Sequence, residues 1–270
     1  MNNNTIILLV LFGILLRTMA VAETSLLINT LEEPPGSFTD QNGKLTGLSV
    51  DMVREIQTRV GNADPIRVYP WARTYQNALR RPNVVAFTAT RTPEREEKFY
   101  WITQIARSEY GFFARKGNNI SITSLDDAKK LKRIGVMRTS VWEQFLVNNG
   151  FTNVDLAVSH AQNLEKLMAG RFQVIYFYSA GFFQDYKTLK LDANEFTQLY
   201  TTQRVESYIL MSKNGTPKAT VNKWKKAASE IKRDGTFEKI AGKWILYMKE
   251  KKGFQAHYEN GAVNYWKKED

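Results

Sequence analysis

The sequence predicts an α/β protein built from two similar halves. Short apolar runs alternate with amphipathic helical segments, which is the pattern of parallel strands joined by right-handed crossovers. The same pattern begins again near residue 133, and 270 residues are enough for one large core or two modest ones. The chain has no cysteine, so its stability comes from packing and not from disulfides. Two such halves facing each other favour a cleft between them.

The first half is predicted to contain three strands and two helices. The strands are expected at 25–30, 65–70 and 83–87. Between them, the segment 47–61 places Leu48, Met52 and Ile56 on one helical face and ends at Gly61, and a second helix covers 72–79. Ligands of such sheets bind beyond the carboxyl ends of the strands. The loops that leave the three strands are therefore expected on one rim.

The second half repeats this order, and a helical pair follows it. Strands are expected at 133–137, 154–158 and 172–178, and helices at 138–150 and 161–170, the first with a capping box of Ser140 and Glu143. The segment 217–248 reads as two amphipathic helices joined at Asp234-Gly235. The side chains expected to face inward are Val221, Trp224, Ala228, Ile231, Phe237, Ile240, Ala241 and Trp244.

Residues 1–22 predict a signal peptide. The apolar run Thr5–Leu16 is shorter than the roughly 20 residues of a membrane span. Ala20-Val21-Ala22 then matches the A-x-A cleavage pattern, so cleavage is expected after Ala22. The positive charge before the run is weak, and an uncleaved membrane anchor is the alternative. No cysteine follows the run to carry a lipid, so a soluble periplasmic protein is expected.

The formal charge of +11, one less without Arg17, indicates an anionic ligand or an anionic membrane surface nearby. Nucleic acid is not expected as a partner, because the protein is exported and its lysines are spread along the chain. The clusters "KWKK" and "KEKK" near the C-terminus alternate with helix-core residues, which is typical of solvated helix faces.

The segment "TRTPEREEKFYW" (90–101) carries more polar chemistry than a turn needs. Thr92 suits a helix N-cap, Pro93 the first helical position, and the glutamates that follow suit the positive end of the helix dipole. Thr90, Arg91 and Arg95 are left without a local reason.

Four segments in register carry a resemblance to a known family. They are "DQNGKLTGLSVDMVREI", "TRTPERE", "SLDDAKKLKRIGV" and "KRDGTFEKIAGKW". The chain resembles the bacterial extracellular solute-binding proteins of family 3, the amino-acid type of ABC transport receptor, over roughly residues 25–246. The resemblance implies a type II periplasmic-binding-protein fold: two lobes, each a mixed sheet flanked by helices, joined by a two-stranded hinge near 111–114 and 206–209. Its expected limits are 23–111 and 208–247 for lobe 1 and 112–207 for lobe 2, with an unassigned extension at 248–270.

The resemblance also gives the opening segment a purpose. The matching family segment grips a ligand carboxylate, and its positions here are Thr90, Thr92 and Arg95. A guanidinium can meet a carboxylate with two parallel hydrogen bonds, and a helix N-terminus adds free N–H groups. The alternative is that Arg95 pairs with a neighbouring glutamate while Thr92 only caps the helix. Arg91 is expected to point to solvent.

Further ligand contacts are expected on both lobes. Thr139 and Ser140 match positions that touch the carboxylate end of the ligand, and Arg138 is a second candidate cation. Trp71 is a candidate apolar wall and Arg73 another candidate cation; packing between loop and helix also explains Trp71. Ser140 is equally well explained as an N-cap.

Two positions depart from the family pattern. Glu33 stands where an aromatic residue commonly stacks on the ligand, so it is expected to accept from a ligand amine or to pair with an arginine. Tyr178 stands where amino-acid binders carry an aspartate for the α-ammonium, and a neutral phenol brings no charge to offset a buried ammonium. A carboxylate ligand without an amine is therefore a second possibility.

The sequence offers no sign of metal or cofactor chemistry. The two histidines, His160 and His257, are far apart and no cysteine accompanies them, so neither a zinc site nor a cofactor is expected. His160 is predicted to be a surface residue. The expected function is ligand binding without catalysis, by a monomer that presents its ligand to an ABC permease or a membrane sensor. A dehydratase-like enzyme using Glu33, and an envelope protein with a vestigial cleft, are the alternatives.

Overall fold

The computed structural model describes residues 25–178, 180–181, 195–252 and 254–266. The predicted signal peptide lies outside these residues. Strands are β1 Leu27–Thr30, β2 Phe38–Thr39, β3 Leu45–Thr46, β4 Ile66–Val68, β5 Val84–Thr90, β6 Phe99–Arg115, β7 Ile134–Met137, β8 Val154–Ala157, β9 Val174–Tyr178, β10 Phe196–Ser212, β11 His257–Glu259 and β12 Ala262–Asn264. Helices are α1 Leu48–Val60, α2 Trp71–Arg80, α3 Pro93–Glu96, α4 Leu125–Lys129, α5 Val141–Asn148, α6 His160–Met168, α7 Lys218–Arg233 and α8 Thr236–Lys252.

The first half forms as its periodicity predicts. Strand β1 pairs in parallel with both β4 and β5, and α1 and α2 provide the crossovers. The apolar face of α1 is fully buried, and the helix ends at Gly61 in the left-handed conformation (φ 73°), which glycine adopts without steric cost. The predicted parallel pairing of the three strands is confirmed.

Two long antiparallel strands, β6 and β10, each 17 residues, join the halves. The main sheet runs β4-β1-β5-β10-β6-β9-β7-β8. β10 pairs with β5 at Ser207–Met211, whereas β6 pairs with β9 at Tyr110–Ala114. Between these stretches, β6 and β10 pair with each other near Arg107 and Glu206. This is the two-stranded connection that the two-lobe fold requires.

The second half repeats the parallel arrangement. Strand β7 pairs in parallel with β8 and β9, and α5 and α6 provide the crossovers. Three helices of this half begin with a serine whose hydroxyl accepts a backbone N–H: Ser124, Ser140 and Ser159. These N-caps satisfy donors that a helix leaves unpaired at its start, so each of the three helices has a defined starting point.

The helical pair α7 and α8 packs on the first half. All the side chains expected to face inward are buried except Ile240, which is partly exposed. Asp51 of α1 accepts hydrogen bonds from Lys243 and Trp244 of α8, which fixes the pair against the first crossover helix.

The C-terminal extension adds a hairpin to the sheet. Strands β11 and β12 turn at Asn260-Gly261, both with positive φ, which is the turn chemistry of a tight hairpin. β12 then pairs in parallel with β6 at Ala106–Arg107. The extension therefore covers the edge of β6 in the first half, where β9 is absent.

Candidate functional site

A cleft lies where the two halves meet. It contains about 240 Å³ of space between atoms, part of which is open to solvent. The side chains that line it are Glu33, Trp71, Thr88, Thr90, Arg95, Met137, Ser140, Val141 and Trp142.

Strand ends bring these side chains together. Glu33 follows β1, Trp71 follows β4, Thr90 ends β5, and Ser140 follows β7. The carboxyl ends of parallel strands lie at one edge of a sheet, and ligand sites form at that edge. The structure thus brings the predicted rim loops of both halves to one cleft.

Arg95 is the buried cation of this cleft. Its side chain lies over the rings of Trp71 and Tyr75, at 5.1 and 4.8 Å from Cζ to the ring centroids, and the residue is only 4% exposed. Nη1 donates to the carbonyl oxygen of Thr90 at 3.3 Å, but Nε has no hydrogen-bond partner. Burial lowers the pKa of Arg95. A buried charge is costly unless an anion pairs with it.

Two of the three glutamates beside Arg95 are engaged elsewhere, and Glu94 attracts Arg95 only from beyond ion-pair distance. Glu96 accepts two hydrogen bonds from Arg91, and this pairing, opposed by partial burial, raises the pKa of Arg91. Glu97 pairs with Lys213 at 3.3 Å. Within the described residues, no carboxylate lies within ion-pair distance of Arg95, so the local pairing considered from sequence does not form.

The threonines around Arg95 differ in their bonding. The Thr90 hydroxyl lies 2.9 Å from the Tyr110 hydroxyl, and burial is the main cause that raises the pKa of Tyr110. Thr92 stands at the N-cap of α3, as predicted, but makes no capping hydrogen bond, and its buried Oγ1 has no partner. Thr88 has φ 58°, which is unfavourable for a β-branched residue. Such strain concentrates at functional sites.

In the second half, most of the polar groups that follow β7 are hydrogen-bonded to other groups of the protein. The Ser140 hydroxyl donates to the carbonyl oxygen of Met137 and accepts the N–H of Glu143. The Glu143 carboxylate accepts the N–H of Thr139, one residue before the N-cap, so the predicted capping box is shifted by one position. The Arg138 side chain is exposed and does not line the cleft.

Among the described residues, Trp71 and Tyr178 each donate a hydrogen bond across the cleft. Trp71 Nε1 donates to the carbonyl oxygen of Thr139 at 3.0 Å, and the Tyr178 hydroxyl donates to the carbonyl oxygen of Pro34 at 2.8 Å. Tyr178 is 2% exposed and does not line the cleft. Arg73 also lies outside it: its side chain is exposed, with Cζ 4.1 Å from the ring centroid of Tyr69.

The prediction that His160 is a surface residue was wrong. The residue is 2% exposed, at the start of α6, and its ring packs against Trp142, Phe177 and Tyr178 at centroid distances of 4.8 to 5.5 Å. Neither ring nitrogen has a hydrogen-bond partner, and Nε2 lies 3.9 Å from Oε2 of Glu33. The sequence could not show this contact because Glu33 belongs to the other half.

The cleft is also lined by residues that were not predicted from the sequence: Thr88, Met137, Val141 and Trp142. Trp142 is the largest of them, and its indole Nε1 is buried without a partner. Val141 and Trp142 are the two residues after the capping serine in "TSVWE". Ligands often bind at a helix N-terminus, so this position in the sequence was the signal that could have indicated both residues as part of the cleft.

The described part of the chain contains no group of three His, Asp or Glu residues close enough to hold a metal ion. Among the same residues, no helix is long and apolar enough to cross a membrane.

Comparison with known proteins finds similarity in both sequence and fold. The chain is 26% identical over 220 residues to the L-cystine-binding protein TcyJ of Escherichia coli strain K12, which covers 78% of this chain and 79% of TcyJ. The solved structure of an ancestral arginine-binding protein bound to arginine superposes with a TM-score of 0.68 at 23% identity, over 82% of this chain and 98% of that one. The crystal structure of a histidine kinase sensor domain with similarity to periplasmic binding proteins superposes with a TM-score of 0.70 at 17% identity, over 82% of this chain and 96% of that one.

The family description "Bacterial extracellular solute-binding proteins, family 3" matches residues 26–247. This range includes both halves, the connecting strands and the cleft, and stops before the C-terminal hairpin. The four sequence segments, the two-lobe fold and this match agree. The chain belongs to the bacterial extracellular solute-binding proteins of family 3.

Proposed function

We propose that this protein is exported to the periplasm, where it binds a small carboxylate-bearing ligand in the cleft and presents it to an ABC permease. The signal peptide is cleaved after Ala22 and the mature chain is a monomer in this proposal. Binding occurs without turnover. Lobe 1 comprises 23–111 and 208–247 and lobe 2 comprises 112–207, and the two close on the ligand.

The observation that carries the proposal is the state of Arg95. Its guanidinium is buried, lines the cleft and has no acidic partner among the described residues, while Nε is an unused donor. A ligand carboxylate would supply the missing anion and accept two parallel hydrogen bonds from the guanidinium fork. The Thr90 hydroxyl lines the cleft beside Arg95. The Oγ1 of Thr92 is buried without a partner, but Thr92 is not among the side chains that line the cleft.

The relatives support an amino acid or a related carboxylate. TcyJ is named for L-cystine, and the ancestral protein was solved with arginine, so both relatives bind molecules that carry a carboxylate. Trp71 and Trp142 provide the apolar walls that small-molecule sites commonly have. Glu33 is the acidic group of the cleft, opposite in charge to Arg95.

Ligand sensing for a membrane receptor is a second candidate. The observation that favours it is the structural similarity to a histidine kinase sensor domain. Both functions need the same ligand-dependent closure, so they share the site and differ in the partner that recognises the closed form.

The test compares two arginine variants. Purified protein from Glu23 onward is titrated with L-cystine and L-arginine, by calorimetry and by thermal shift, as wild type, Arg95→Met and Arg91→Met. Arg91 is the matched control, because it is an arginine of the same loop that is already paired with Glu96. Binding to wild type and Arg91→Met, with a loss of at least about tenfold in Arg95→Met, is the expected result. Equal affinity in Arg95→Met would overturn the role of the guanidinium.

Closure of the two lobes on the ligand is tested by a separate measurement. Small-angle scattering of wild type with and without the bound compound should show a smaller radius of gyration on binding. A ligand that binds without any compaction would contradict the two-lobe closing mechanism and leave the carboxylate contact intact.

A further inference from the structure

We infer that the C-terminal hairpin restrains the hinge, and that Asn264, Tyr265 and Trp266 are positioning residues that favour the closed arrangement of the two lobes. This inference rests on the closing movement of the proposed function, but it does not depend on which ligand enters the cleft. It gives a role to the hairpin formed by β11 and β12, which lies beyond the family match at 26–247.

The hinge is the section of β6 and β10 that lies between the two halves. Residues 107–109 of β6 pair with residues 204–206 of β10. This section lies between the stretch of β10 that pairs with β5 in the first half and the stretch of β6 that pairs with β9 in the second. A hinge works by a change in the backbone angles of a few such residues. Contacts that fix the backbone here therefore influence how the two halves are arranged.

The hairpin holds the β6 side of the hinge through Arg107. Strand β12 pairs with β6 at Ala106 and Arg107, and the N–H of Tyr265 donates to the carbonyl oxygen of Arg107 at 2.9 Å. The guanidinium is held as well, because Nη1 of Arg107 donates to Oδ1 of Asn264 at 3.1 Å. Asn264 and Tyr265 are buried, which strengthens hydrogen bonds relative to those made in water. One hinge residue is thus fixed through both its backbone and its side chain.

The hairpin contacts the β10 side of the hinge through Trp266. The guanidinium of Arg204 lies over the indole ring, with Cζ 4.6 Å from the ring centroid, and Nε of Arg204 donates to the Glu109 carboxylate of β6 at 3.1 Å. The carbonyl oxygen of Trp266 lies 3.1 Å from Nδ1 of His257, which connects it to the first strand of the hairpin. An aromatic face attracts a cation placed over it, so Trp266 restrains Arg204. The hairpin therefore contacts both hinge strands.

These contacts are present in an arrangement in which the two halves touch. Trp71 donates to Thr139, and Tyr178 donates to Pro34, across the cleft. A movement of the hinge that separates these pairs changes the backbone at Arg107 and so disturbs its bonds to the hairpin. The hairpin therefore favours the closed arrangement. A ligand that binds this arrangement has less free energy to spend on closing the lobes, and it leaves only when the hinge opens.

The test measures the distance between the halves without ligand. The chain has no cysteine, so Asn42→Cys in the first half and Asn148→Cys in the second provide two specific positions for spin labels, both exposed. In this labelled protein, Trp266→Ala and, separately, Asn264→Ala should each reduce the population at the distance of the closed arrangement. Stopped-flow measurements with L-cystine and L-arginine should show dissociation about two- to fivefold faster in Trp266→Ala, with association no slower.

Tyr258→Ala is the matched control. Tyr258 is an aromatic residue of the same hairpin, but its ring packs on Phe237 of α8 at 5.9 Å between centroids, and β12 separates its strand from β6. It should lower the melting temperature without a change in the distances. Unchanged distances in Trp266→Ala and Asn264→Ala, or an equal change in Tyr258→Ala, would refute the restraint of the hinge. If wild type binds neither compound, the proposed function fails, and the ligand-free distances still decide this inference.

Discussion

The indole N–H of Trp71 and the carbonyl oxygen of Thr139 form a hydrogen bond, 3.0 Å between heavy atoms, from one half of the molecule to the other. Trp71 begins α2 on the first half, and Thr139 precedes α5 on the second. The same indole ring is the surface on which Arg95 lies. One side chain thus supports the buried cation and ties the two walls of the cleft together.

Trp71→Phe should weaken ligand binding by reducing the stability of the closed arrangement. Phenylalanine keeps an aromatic ring under Arg95 but cannot donate to Thr139, and one hydrogen bond contributes about 0.5–1.5 kcal/mol, or roughly 2- to 12-fold in affinity. The control is Trp101→Phe, which also loses an indole hydrogen bond, to the carbonyl oxygen of Glu96, but entirely within the first half. Calorimetry that showed equal losses in both variants would contradict a cross-cleft role for Trp71.

Arg95→Met should stabilise the ligand-free protein while it reduces binding. The guanidinium is desolvated without an anion, and replacement of a buried charge by an apolar side chain of similar length is often stabilising, here by about 1–2 kcal/mol. Denaturant unfolding without ligand measures this change. A clear loss of stability would show that the contacts of Arg95 with Trp71 and Tyr75 outweigh the cost of burying its charge.

Lys232 makes stability depend on pH in the alkaline range. Its Nζ donates to the carbonyl oxygen of Gln104, and burial, with a smaller contribution from Arg107, lowers its pKa to about 8. The pKa of an unfolded lysine is about 10.4. From pH 8 to about pH 10 the unfolded chain therefore binds more protons than the folded protein, and the free energy of unfolding rises with pH. The cost of the buried charge is therefore greatest at neutral pH.

Lys232→Met should consequently be more stable than wild type at pH 7, with an advantage that shrinks between pH 8 and pH 10. Urea unfolding at unit intervals of pH measures the difference, and Lys225→Met, on the exposed side of the same helix, is the control. An advantage that is constant or grows with pH would mean that the loss of the ammonium charge is not its cause.

Local pattern predicted the two halves, but not every contact that forms the site. The helix faces, the parallel strands and the rim loops follow from periodicity and from signals such as Gly61 and Ser140, which act within a few residues. Strands β6 and β10 were not predicted as 17-residue elements, because their mixed polar pattern gains its partners only when distant segments pair. The loop around Arg95 could be selected from composition and family resemblance together.

Which side chains face the cleft and which face solvent could not be predicted from the sequence. His160 follows a strand and a serine, which is typical of a loop residue, and its burial depends on rings from α5 and β9. Arg73, in the first turn of α2, and Arg138, between β7 and α5, are near the expected rim but are exposed, because a long cationic side chain can keep its charged end in water at low cost. Thr92 stands at the N-cap without the capping bond, which leaves its hydroxyl unpaired beside the site.

Removal of the C-terminal hairpin should destabilise the first half. The hairpin buries Val263 and Tyr265, donates the N–H of Tyr265 to the carbonyl oxygen of Arg107, and pairs with β6 along its edge. A chain that ends after Lys252 loses at least about 2 kcal/mol of apolar burial and exposes strand edge that favours self-association. Thermal unfolding should show a decrease of several degrees relative to a control chain that ends after Trp266, at about 2–4 °C per kcal/mol for a protein of this size. Equal melting temperatures of the two chains would show that β6 does not need the hairpin, and that the extension is packed on the sheet without supporting it.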